Sequence, residues 1–292
     1  MKIIPGPASR DLGEKIAAFL NAETVPLAFR LHPDGESYVR LEGKVQGEDV
    51  VIVQTTCPPQ DSRLVQLALI ADAAKRYGAK KVAAVVPYLA YARQDRAFLE
   101  GEAVGVEVIA QLLKAAGIDS LLTVNVHQAK ALAKFPFPSK TISAIHLLAD
   151  YFKKKGLEKA FALAPDSGAL WLVEEAQTVL GGECGFFEKH RDRYTGQTST
   201  EKKKLDIEGK VVIIFDDIIS TGGTIVSAAK VAKELGATEV YMACVHPLLI
   251  GDAERRIREA GVVELVGTDS VPSNVGRISL APLLGSELRQ GV

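Results

Sequence analysis

Residues 211–224 read Val-Val-Ile-Ile-Phe-Asp-Asp-Ile-Ile-Ser-Thr-Gly-Gly-Thr, an apolar run followed by a polar turn that contains two glycines. The run Val211–Phe215 is rich in β-branched residues and uninterrupted, which predicts a strand buried on both faces of a parallel sheet. A helical pattern, Thr224–Leu235, follows at once. The polar residues between them are therefore predicted to lie at the carboxyl end of a strand, where α/β folds bind ligands.

The same order of elements occurs once before in the chain. The first copy is Val50–Val53, a polar loop, a helix ending at residues 77–79 and a strand ending at Pro87. The second copy is Val211–Ile214, a polar loop, a helix ending at residues 235–237 and a strand ending at Pro247. The offset is about 160 residues, near half of the 292-residue chain. This repeat predicts two similarly folded α/β domains in tandem.

Short strand patterns alternate with amphipathic helix patterns along the whole chain, which predicts parallel sheets flanked by helices. Further strands are predicted at Lys81–Val86, Leu121–Val126, Lys159–Leu163, Glu239–Val245 and Val262–Val266, and further helices at Arg63–Tyr77, Glu107–Ala116, Ala144–Lys155, Gly168–Val179 and Ala253–Ala260. The pattern is interrupted near Pro136–Ser143, so we predict domains at residues 1–140 and 141–292. The last segment, Leu283–Gln290, is too short to assign to either domain from its pattern, and packing on the first domain is one option.

Composition excludes several classes of protein. Hydrophobic residues make up 47% and charged residues 24%, and the net charge is −1, which gives no global attraction to nucleic acid or to an anionic membrane. The three cysteines have no metal-type spacing, and no apolar run reaches the length of a membrane span. The first residues do not form a signal peptide. These features predict a cytoplasmic enzyme that holds any anionic substrate with local positive charge.

The turn after Phe215 divides into two chemical parts. Ser220, Thr221, Gly222, Gly223 and Thr224 offer hydroxyls and unhindered N–H groups at a helix N-terminus, which suits a phosphate group. Asp216 and Asp217 offer acceptors for sugar hydroxyls or for hydrated Mg²⁺. The alternative is a simple helix cap by Ser220 or Thr221, but a cap needs no pair of acids. A phosphate beside a diol describes ribose 5-phosphate.

Two other segments carry positive charge in loop-like sequence. Residues 87–96 read Pro-Tyr-Leu-Ala-Tyr-Ala-Arg-Gln-Asp-Arg, and Arg93 and Arg96 can hold polyphosphate oxygens with planar, bidentate geometry. The alternative is a surface ion-pair cluster with Asp95. Residues 189–204 are polar throughout and begin Lys-His-Arg; a solvated loop or hairpin is the alternative to a functional role there.

These segments together resemble one enzyme family. The Asp216–Thr224 turn resembles the loop shared by type I phosphoribosyltransferases and phosphoribosyl pyrophosphate synthetases. The tandem halves, the Pro87–Arg96 string and four further matches resemble the second group only, the ribose-phosphate pyrophosphokinases. Those matches are His32–Glu36, Thr56–Asp61, Val126–Gln128 and Ala164–Gly168. Glu188–Arg191 is similar to the start of the family's mobile catalytic loop.

The resemblance implies a role for each matching residue. It implies ATP contacts at Asp34, Gly35, Glu36, Arg93, Gln94, Arg96 and His127; catalysis by Lys189 and Arg191; ribose 5-phosphate contacts at Arg191, Asp216, Asp217, Ser220, Thr221, Gly222, Gly223 and Thr224; and metal contacts at His127 and Asp166. It also implies Mg²⁺ as cofactor, and ATP and ribose 5-phosphate as substrates. Finally, it implies a homo-oligomer, at least a dimer, in which Asp34–Glu36 reach the ATP of a neighbouring copy.

The sequence departs from the family pattern at three positions. His32 stands where an aromatic residue is common, Asn125 where an aspartate is common, and His190 where arginine is frequent. We expect Asn125 to lower the negative charge near a metal. The loop after Arg191 looks closer to archaeal-type relatives. Two rivals stay open: a type I phosphoribosyltransferase, and a non-catalytic synthetase-associated subunit.

Overall fold

Two six-stranded parallel sheets form the framework in the computed structural model, which describes residues 1–191, 198–201 and 205–291. The chain divides into two compact units: Met1–Ser143 with Asp269–Pro272 and the segment from Ser279 onward, and Ala144–Thr268 with Ser273–Ile278. The predicted fold class, two tandem α/β domains with parallel sheets flanked by helices, is confirmed. The division after residue 140 stays a prediction, because compactness within one chain does not show that each half folds alone.

The first unit is built around the sheet order β2-β1-β5-β6-β7-β8. Its elements are β1 (Lys2–Pro5), α1 (Arg10–Leu20), β2 (Glu23–Thr24), β3 (Leu27–Leu31), β4 (Ser37–Leu41), β5 (Asp49–Val53), α2 (Gln60–Arg76), β6 (Lys81–Val86), α3 (Gly105–Ala115), β7 (Ser120–Val124) and β8 (Ser139–Ile142). Strands β3 and β4 form a separate antiparallel hairpin. A short 3-10 helix, Ala129–Lys134, links β7 to β8.

The second unit repeats this plan with the order β10-β9-β13-β14-β15-β16. Its elements are α4 (Ile145–Lys154), β9 (Phe161–Ala164), a 3-10 turn (Ser167–Ala169), α5 (Leu170–Leu180), β10 (Cys184–Phe186), β11 (Glu188–Arg191), β12 (Thr198–Glu201), β13 (Val211–Ile219), α6 (Gly223–Glu234), β14 (Glu239–Pro247), α7 (Ala253–Glu259), β15 (Val262–Thr268) and β16 (Gly276–Ile278). Strands β11 and β12 pair antiparallel, so the polar run that begins at Lys189 contains a hairpin.

The internal repeat is visible in the order of the strands. Val50–Val53 belongs to β5 and Val211–Ile214 to β13, and both strands take the third place in their sheets. The strands that end each copy of the repeat, β6 and β14, both take the fourth place. In chain order, each unit also has its hairpin between the second and the third strand of its sheet. The hairpin follows β2 in the first unit and β10 in the second. The similarity of the two halves therefore extends to topology.

Burial explains why the central strands form. Ile52 and Val53 in β5 and Val212–Phe215 in β13 are all nearly inaccessible to solvent. Because both faces of these strands are covered, their sequences are continuously apolar rather than alternating. The final helix, α8 (Ala281–Gln290), packs on α1 in the first unit, where Arg289 Nη2 donates to the Phe19 carbonyl at 2.8 Å.

Two further features bear on the predicted class. In the part of the chain that the structure describes, no helix combines the length and the apolar composition needed to cross a bilayer. Cys57 and Cys244 are buried and Cys184 is half-buried, and all three thiols are free.

In the second unit an ion cluster around Glu264 joins α4 to the sheet edge. Tyr151 Oη donates to Glu264 at 2.9 Å, Arg277 Nη1 donates at 2.7 Å, and Lys155 completes the cluster. Burial alone would raise the pKa of Glu264, but the hydrogen bonds from Lys155 and Tyr151 and the charges of Lys155 and Arg277 lower it overall. The ionised carboxylate is thus favoured in the folded state.

We predict that Glu264→Gln lowers the free energy of unfolding at pH 7 by about 1 kcal/mol, because a charged acceptor for three donors is lost. The folded pKa lies below the unfolded value of about 4.3, so this contribution is complete above that value and disappears as pH falls through the folded pKa. Urea unfolding of both proteins at several pH values measures it. Asp150→Asn, which removes an exposed α4 pair with Lys154, is the matched control. A difference that stays constant down to pH 2.5 or so would contradict the assignment.

Candidate functional site

The turn at residues 216–224 lies at the carboxyl edge of the second sheet. Strand β13 continues to Ile219, four residues beyond the predicted end, because β14 runs beside it as far as Pro247. Asp216 and Asp217 therefore belong to the strand. The start of the turn is fixed by the segment after β14. The N–H groups of Leu249 and Ile250 donate to the carbonyls of Ile219 and Ser220 at 3.1 and 3.0 Å.

The start of α6 has the form of an anion site. Its N-cap is Gly222, and within the described residues no side chain caps the helix, so the alternative of a simple cap by Ser220 or Thr221 is not realised there. Gly222 has φ +76°, and an added Cβ would lie 3.1 Å from Ile257 Cδ1. An added Cβ on Gly223 would meet nothing within 4 Å. Gly222 is thus required by conformation and packing, whereas Gly223 leaves space above the helix end where an anion is favoured.

Three carboxylates influence one another at this edge. Asp166 follows β9, which pairs with β13, and its Oδ1 accepts the Gly168 N–H at 3.0 Å. Burial raises the pKa of Asp216 well above its usual range, and the adjacent Asp217 and then Asp166 raise it further. Hydrogen bonds donated by the two hydroxyls of a diol, or a bound cation, would relieve this repulsion. The carboxylate oxygens match the ligand preference of Mg²⁺.

Cys244 supports these acids from the neighbouring strand. It pairs in register with Asp216, and its Sγ donates to the Asp217 carbonyl at 3.7 Å. Burial raises the pKa of the Cys244 thiol well above its ordinary value, and the charge of Asp216 adds to the effect. The thiol is therefore kept neutral, which suits a packing role beneath the site rather than a nucleophile.

In the first unit, β6 and β7 bring two predicted segments to the same edge of the sheet. The Pro87 carbonyl accepts the Val124 N–H at 3.2 Å, so the loop after β6 starts beside the end of β7. Arg93 and Arg96 are exposed on that loop, and Gln94 is half-buried. The Arg96 guanidinium lies over the Phe98 ring at 4.9 Å. His127, exposed after β7, lies on the adjoining loop.

Thr56 and Asp61 fasten the arginine loop, a role that the sequence analysis did not assign. Thr56 Oγ1 donates to the Tyr88 carbonyl at 2.7 Å and accepts the Ala90 N–H at 2.8 Å. The Tyr91 hydroxyl donates to Asp61, and this bond raises the pKa of Tyr91. The matching segment Thr56–Asp61 was a signal for importance, but its contacts come from the pairing of β5 with β6 and could not be derived from spacing.

The β3–β4 hairpin carries Asp34, Gly35 and Glu36 on its exposed tip. The tip is closed by the Gly35 N–H, which donates to the His32 carbonyl at 2.9 Å, and by Asp34 Oδ1, which accepts the Glu36 N–H at 3.2 Å. The His32 ring contacts Tyr38 edge to face, with centroids 6.2 Å apart. The hairpin therefore presents two carboxylates on a short, locally ordered turn.

Lys189 and Arg191 lie on strand β11. The structure describes only their backbone, and their side chains lie outside what it describes. Residues 192–197 and 202–204 of the predicted mobile loop also lie outside the described residues.

Asn125 has a structural explanation in the first unit. It is buried, has φ +36°, and its Nδ2 donates to Ser143 Oγ at 3.3 Å. Asparagine tolerates a positive φ better than most residues, and an ionised aspartate could not make this donation.

Within the residues that the structure describes, no three His, Cys, Asp or Glu side chains form a complete metal-binding group. The two predicted metal contacts, His127 and Asp166, belong to different units. Each is placed at the carboxyl end of its sheet, after β7 and after β9. A cation would therefore take part of its coordination from outside the described side chains, such as substrate oxygens and water.

Comparison with known proteins identifies two family models in the chain. The N-terminal domain of ribose phosphate pyrophosphokinase matches residues 1–117. The phosphoribosyl synthetase-associated domain matches residues 198–283.

Proteins that match nearly the whole chain belong to the same family as these models. The ribose-phosphate pyrophosphokinase of Saccharolobus solfataricus is 41% identical over 275 residues, covering 94% of each chain. That of Methanothermobacter thermautotrophicus is 40% identical over 287 residues, covering 98% of this chain and 99% of the relative. Among solved structures, phosphoribosylpyrophosphate synthetase from Mycobacterium smegmatis superposes with a TM-score of 0.89 at 30% identity and covers 99% of this chain and 97% of that chain.

We predict opposite effects at the two glycines of the turn. Gly222→Ala should lower the free energy of unfolding by about 1–2 kcal/mol, because a left-handed conformation and a close Ile257 both oppose a Cβ. Gly223→Ala should leave stability unchanged or raise it by about 0.5 kcal/mol, because the position is helical and open. Urea unfolding measures both. Equal effects of the two substitutions would show that the turn has a different conformation in solution.

Proposed function

The chain belongs to the ribose-phosphate pyrophosphokinase family, and we propose that it transfers the β,γ-diphosphoryl group of Mg-ATP to the 1-hydroxyl of ribose 5-phosphate. The products are phosphoribosyl pyrophosphate and AMP. The protein is a diphosphotransferase of nucleotide biosynthesis, and we place it in the cytoplasm. Neither rival accounts for relatives that are named ribose-phosphate pyrophosphokinase and that match 94% and 98% of this chain.

One observation carries the proposal. Each sheet has a polar segment at its carboxyl edge, after the fourth strand in the first sheet and after the third strand in the second, and the two segments differ in charge. The second unit carries the acid pair and an uncapped helix start. The first unit carries Arg93 and Arg96. A type I phosphoribosyltransferase would need the acid pair and the helix start, but it would not need the two arginines.

The first domain, residues 1–140, is assigned to ATP. The exposed Arg93 and Arg96, with Gln94 between them, would bind phosphate oxygens, and the Thr56 and Asp61 contacts would hold their loop in place. His127 would lie near the phosphates. Guanidinium groups suit this task because two parallel N–H donors match two phosphate oxygens.

The second domain, residues 141–292, is assigned to ribose 5-phosphate. The 5-phosphate would bind the N–H groups at the start of α6 and the hydroxyls of Ser220, Thr221 and Thr224. Gly222 and Gly223 let the phosphate approach the backbone. Asp216 and Asp217 would accept hydrogen bonds from the ribose hydroxyls, and such donors would offset the burial and the neighbouring negative charges that raise the pKa of Asp216.

The 1-hydroxyl oxygen would attack the β-phosphorus in line, its bond to phosphorus would form as the bond to the α,β-bridging oxygen breaks, and the hydroxyl proton would leave to solvent or buffer. Lys189 and Arg191 would close over the transferring group and neutralise charge on its oxygens. Mg²⁺, held in part by Asp166 and His127, would supply further charge neutralisation on the triphosphate. The chain's contribution is mainly positioning and electrostatics.

The same reading assigns a role to the exposed hairpin tip. Asp34, Gly35 and Glu36 would contact the ATP bound to a neighbouring copy, which requires a homo-oligomer, at least a dimer. The tip supports this role because it is exposed and held in shape by its own hydrogen bonds.

The reaction is tested with purified protein, Mg-ATP and ribose 5-phosphate, with AMP and phosphoribosyl pyrophosphate followed by ³¹P NMR. We expect equimolar products, none after chelation of Mg²⁺, and a fall in kcat of about 10²-fold or more in Lys189→Ala with ribose 5-phosphate still bound. Lys230→Ala, at an exposed lysine of α6, is the charge-matched control.

Three outcomes would count against the assignment. Failure to form AMP would reject diphosphate transfer, and recovery of activity only on addition of an active relative would favour a non-catalytic subunit. Near-normal turnover of Lys189→Ala would reject the role of the β11–β12 segment alone.

Sharing of the site between copies is tested by mixing two inactive variants. Glu36→Ala would damage the hairpin tip that a chain contributes to the site of its neighbour. Lys189→Ala would damage the site of the chain that carries it. In randomly mixed dimers we expect about a quarter of the sites to combine an intact tip with an intact lysine, so activity should return to that level. Activity that stays at the sum of the two separate variants would show that each chain completes its own site.

A further inference from the structure

A second binding site is suggested by a cavity of about 680 Å³ in the first unit. Its walls come from the carboxyl end of β1, the start of α1, strand β3 and the side chain of Arg63 on α2. No residue assigned above to ATP, ribose 5-phosphate or metal lines it. Its volume falls in the range of ordinary small-molecule sites, about 300–1,000 Å³.

Arg63 is oriented in the wall, and one nitrogen of its guanidinium, Nε, has no hydrogen-bond partner among the described residues. Its Nη1 donates to Gln66 Oε1 at 3.0 Å, which orients the group. The Nε atom is also buried. Nε and Nη2 share one edge of the planar group and together match two oxygens of one anion. An unsatisfied buried donor costs free energy, so a site that pairs it with an oxyanion is favoured.

The orientation of Arg63 depends on a buried amide network. Gln54 Nε2 lies 3.4 Å from Gln66 Oε1, and Gln54 Oε1 accepts the Ala8 N–H at 3.0 Å. Gln66 in turn donates to Ser37 Oγ at 3.2 Å. Because Gln54 and Gln66 are both almost fully buried, the guanidinium is held in a preorganised position.

The start of α1 adds a second contribution. Its N-cap residue, Ser9, makes no cap, because its Oγ accepts the Thr55 N–H at 2.8 Å. The positive end of this 11-residue helix therefore meets the cavity wall at Pro7 and Arg10 without a side-chain cap. Arg10 is exposed and only loosely paired with Glu14, with Nε 3.6 Å from Oε1. Glu14 also lines the cavity and reduces its positive charge.

Apart from Gly6 and Thr24, the rest of the lining residues are apolar. Val25, Pro26, Leu27 and Phe29 form one wall, and Pro5 and Pro7 another. A free inorganic anion would leave these surfaces unused. We propose that the cavity binds a small phosphomonoester with an apolar, ring-shaped body, its phosphate on Arg63 and the start of α1 and its ring against β3. The proposal does not depend on the reaction catalysed at the loops after β6, β7 and β13.

The test uses 4-fluorophenyl phosphate as ligand and ¹⁹F NMR as readout, and binding in the cavity is distinguished from binding at the catalytic anion sites by its response to substitutions of Arg63, Glu14 and Ala28. We expect saturable binding that weakens about tenfold or more in Arg63→Gln and strengthens about twofold in Glu14→Gln, because the two changes alter the charge in opposite directions. Arg255→Gln, at an exposed arginine of α7, should bind as the wild type does.

Ala28→Phe keeps the test decisive if Arg63→Gln disturbs folding. Ala28 lines the cavity, so a ring there should fill it and abolish binding. Unchanged binding in Ala28→Phe would overturn the proposal, as would equal binding of uncharged 4-fluorophenol. A change of oligomeric mass in Ala28→Phe, measured by light scattering, would overturn it as well, because a second copy of the chain would then be the occupant.

Discussion

The parallel pairing of each sheet's third and fourth strands is the constraint on which the structure depends. Pairing of β5 with β6 and of β13 with β14 puts the carboxyl ends of all neighbouring strands at one edge. Polar loops can form there because the apolar residues of the strands already form the buried core, so the loops need not contribute to it. The loop after β6 and the turn after β13 are positioned by this pairing rather than by their own sequences, as the bonds from Thr56 to Tyr88 and from Ile250 to Ser220 show.

The central strands could be predicted from the sequence because burial on both faces leaves a continuous apolar run. The short strands β1 and β2 could not. Strand β1 has four residues and β2 has two, and β1 forms between β2 and β5, where Lys2 pairs with both Glu23 and Val50. Such pairing joins positions far apart in the chain, so no local pattern indicates it. The predicted end of β13 at Phe215 was wrong for a related reason, since the partner strand β14 carries the pairing through two aspartates.

The candidate site shows the same division between chemistry and geometry. Residue type was sufficient to select Asp216, Asp217 and the glycine turn, because acids rarely end a buried strand without a function. The electrostatic coupling to Asp166 could not be seen, since it arises from β9 lying next to β13. Thr56 and Asp61 were likewise selected only by resemblance, and their bonds to residues 88–91 require the folded loop. The effect of Asn125 on charge near a metal stays a prediction, whereas its positive φ and its bond to Ser143 are visible only in the folded chain.

The two hairpins show how a repeated fold can serve two substrates. Hairpins β3–β4 and β11–β12 occupy equivalent places in the chain. The first follows β2 and the second follows β10, and each of these strands is an edge strand of its sheet. Neither hairpin belongs to the six-stranded sheet of its unit, so neither is constrained by burial on two faces, and both can carry charged residues at little cost in stability. The first carries acids at an exposed tip, and the second carries Lys189 and Arg191. Because the loops at the carboxyl edges are already placed by the sheets, the two hairpins can differ in sequence and charge without altering either core.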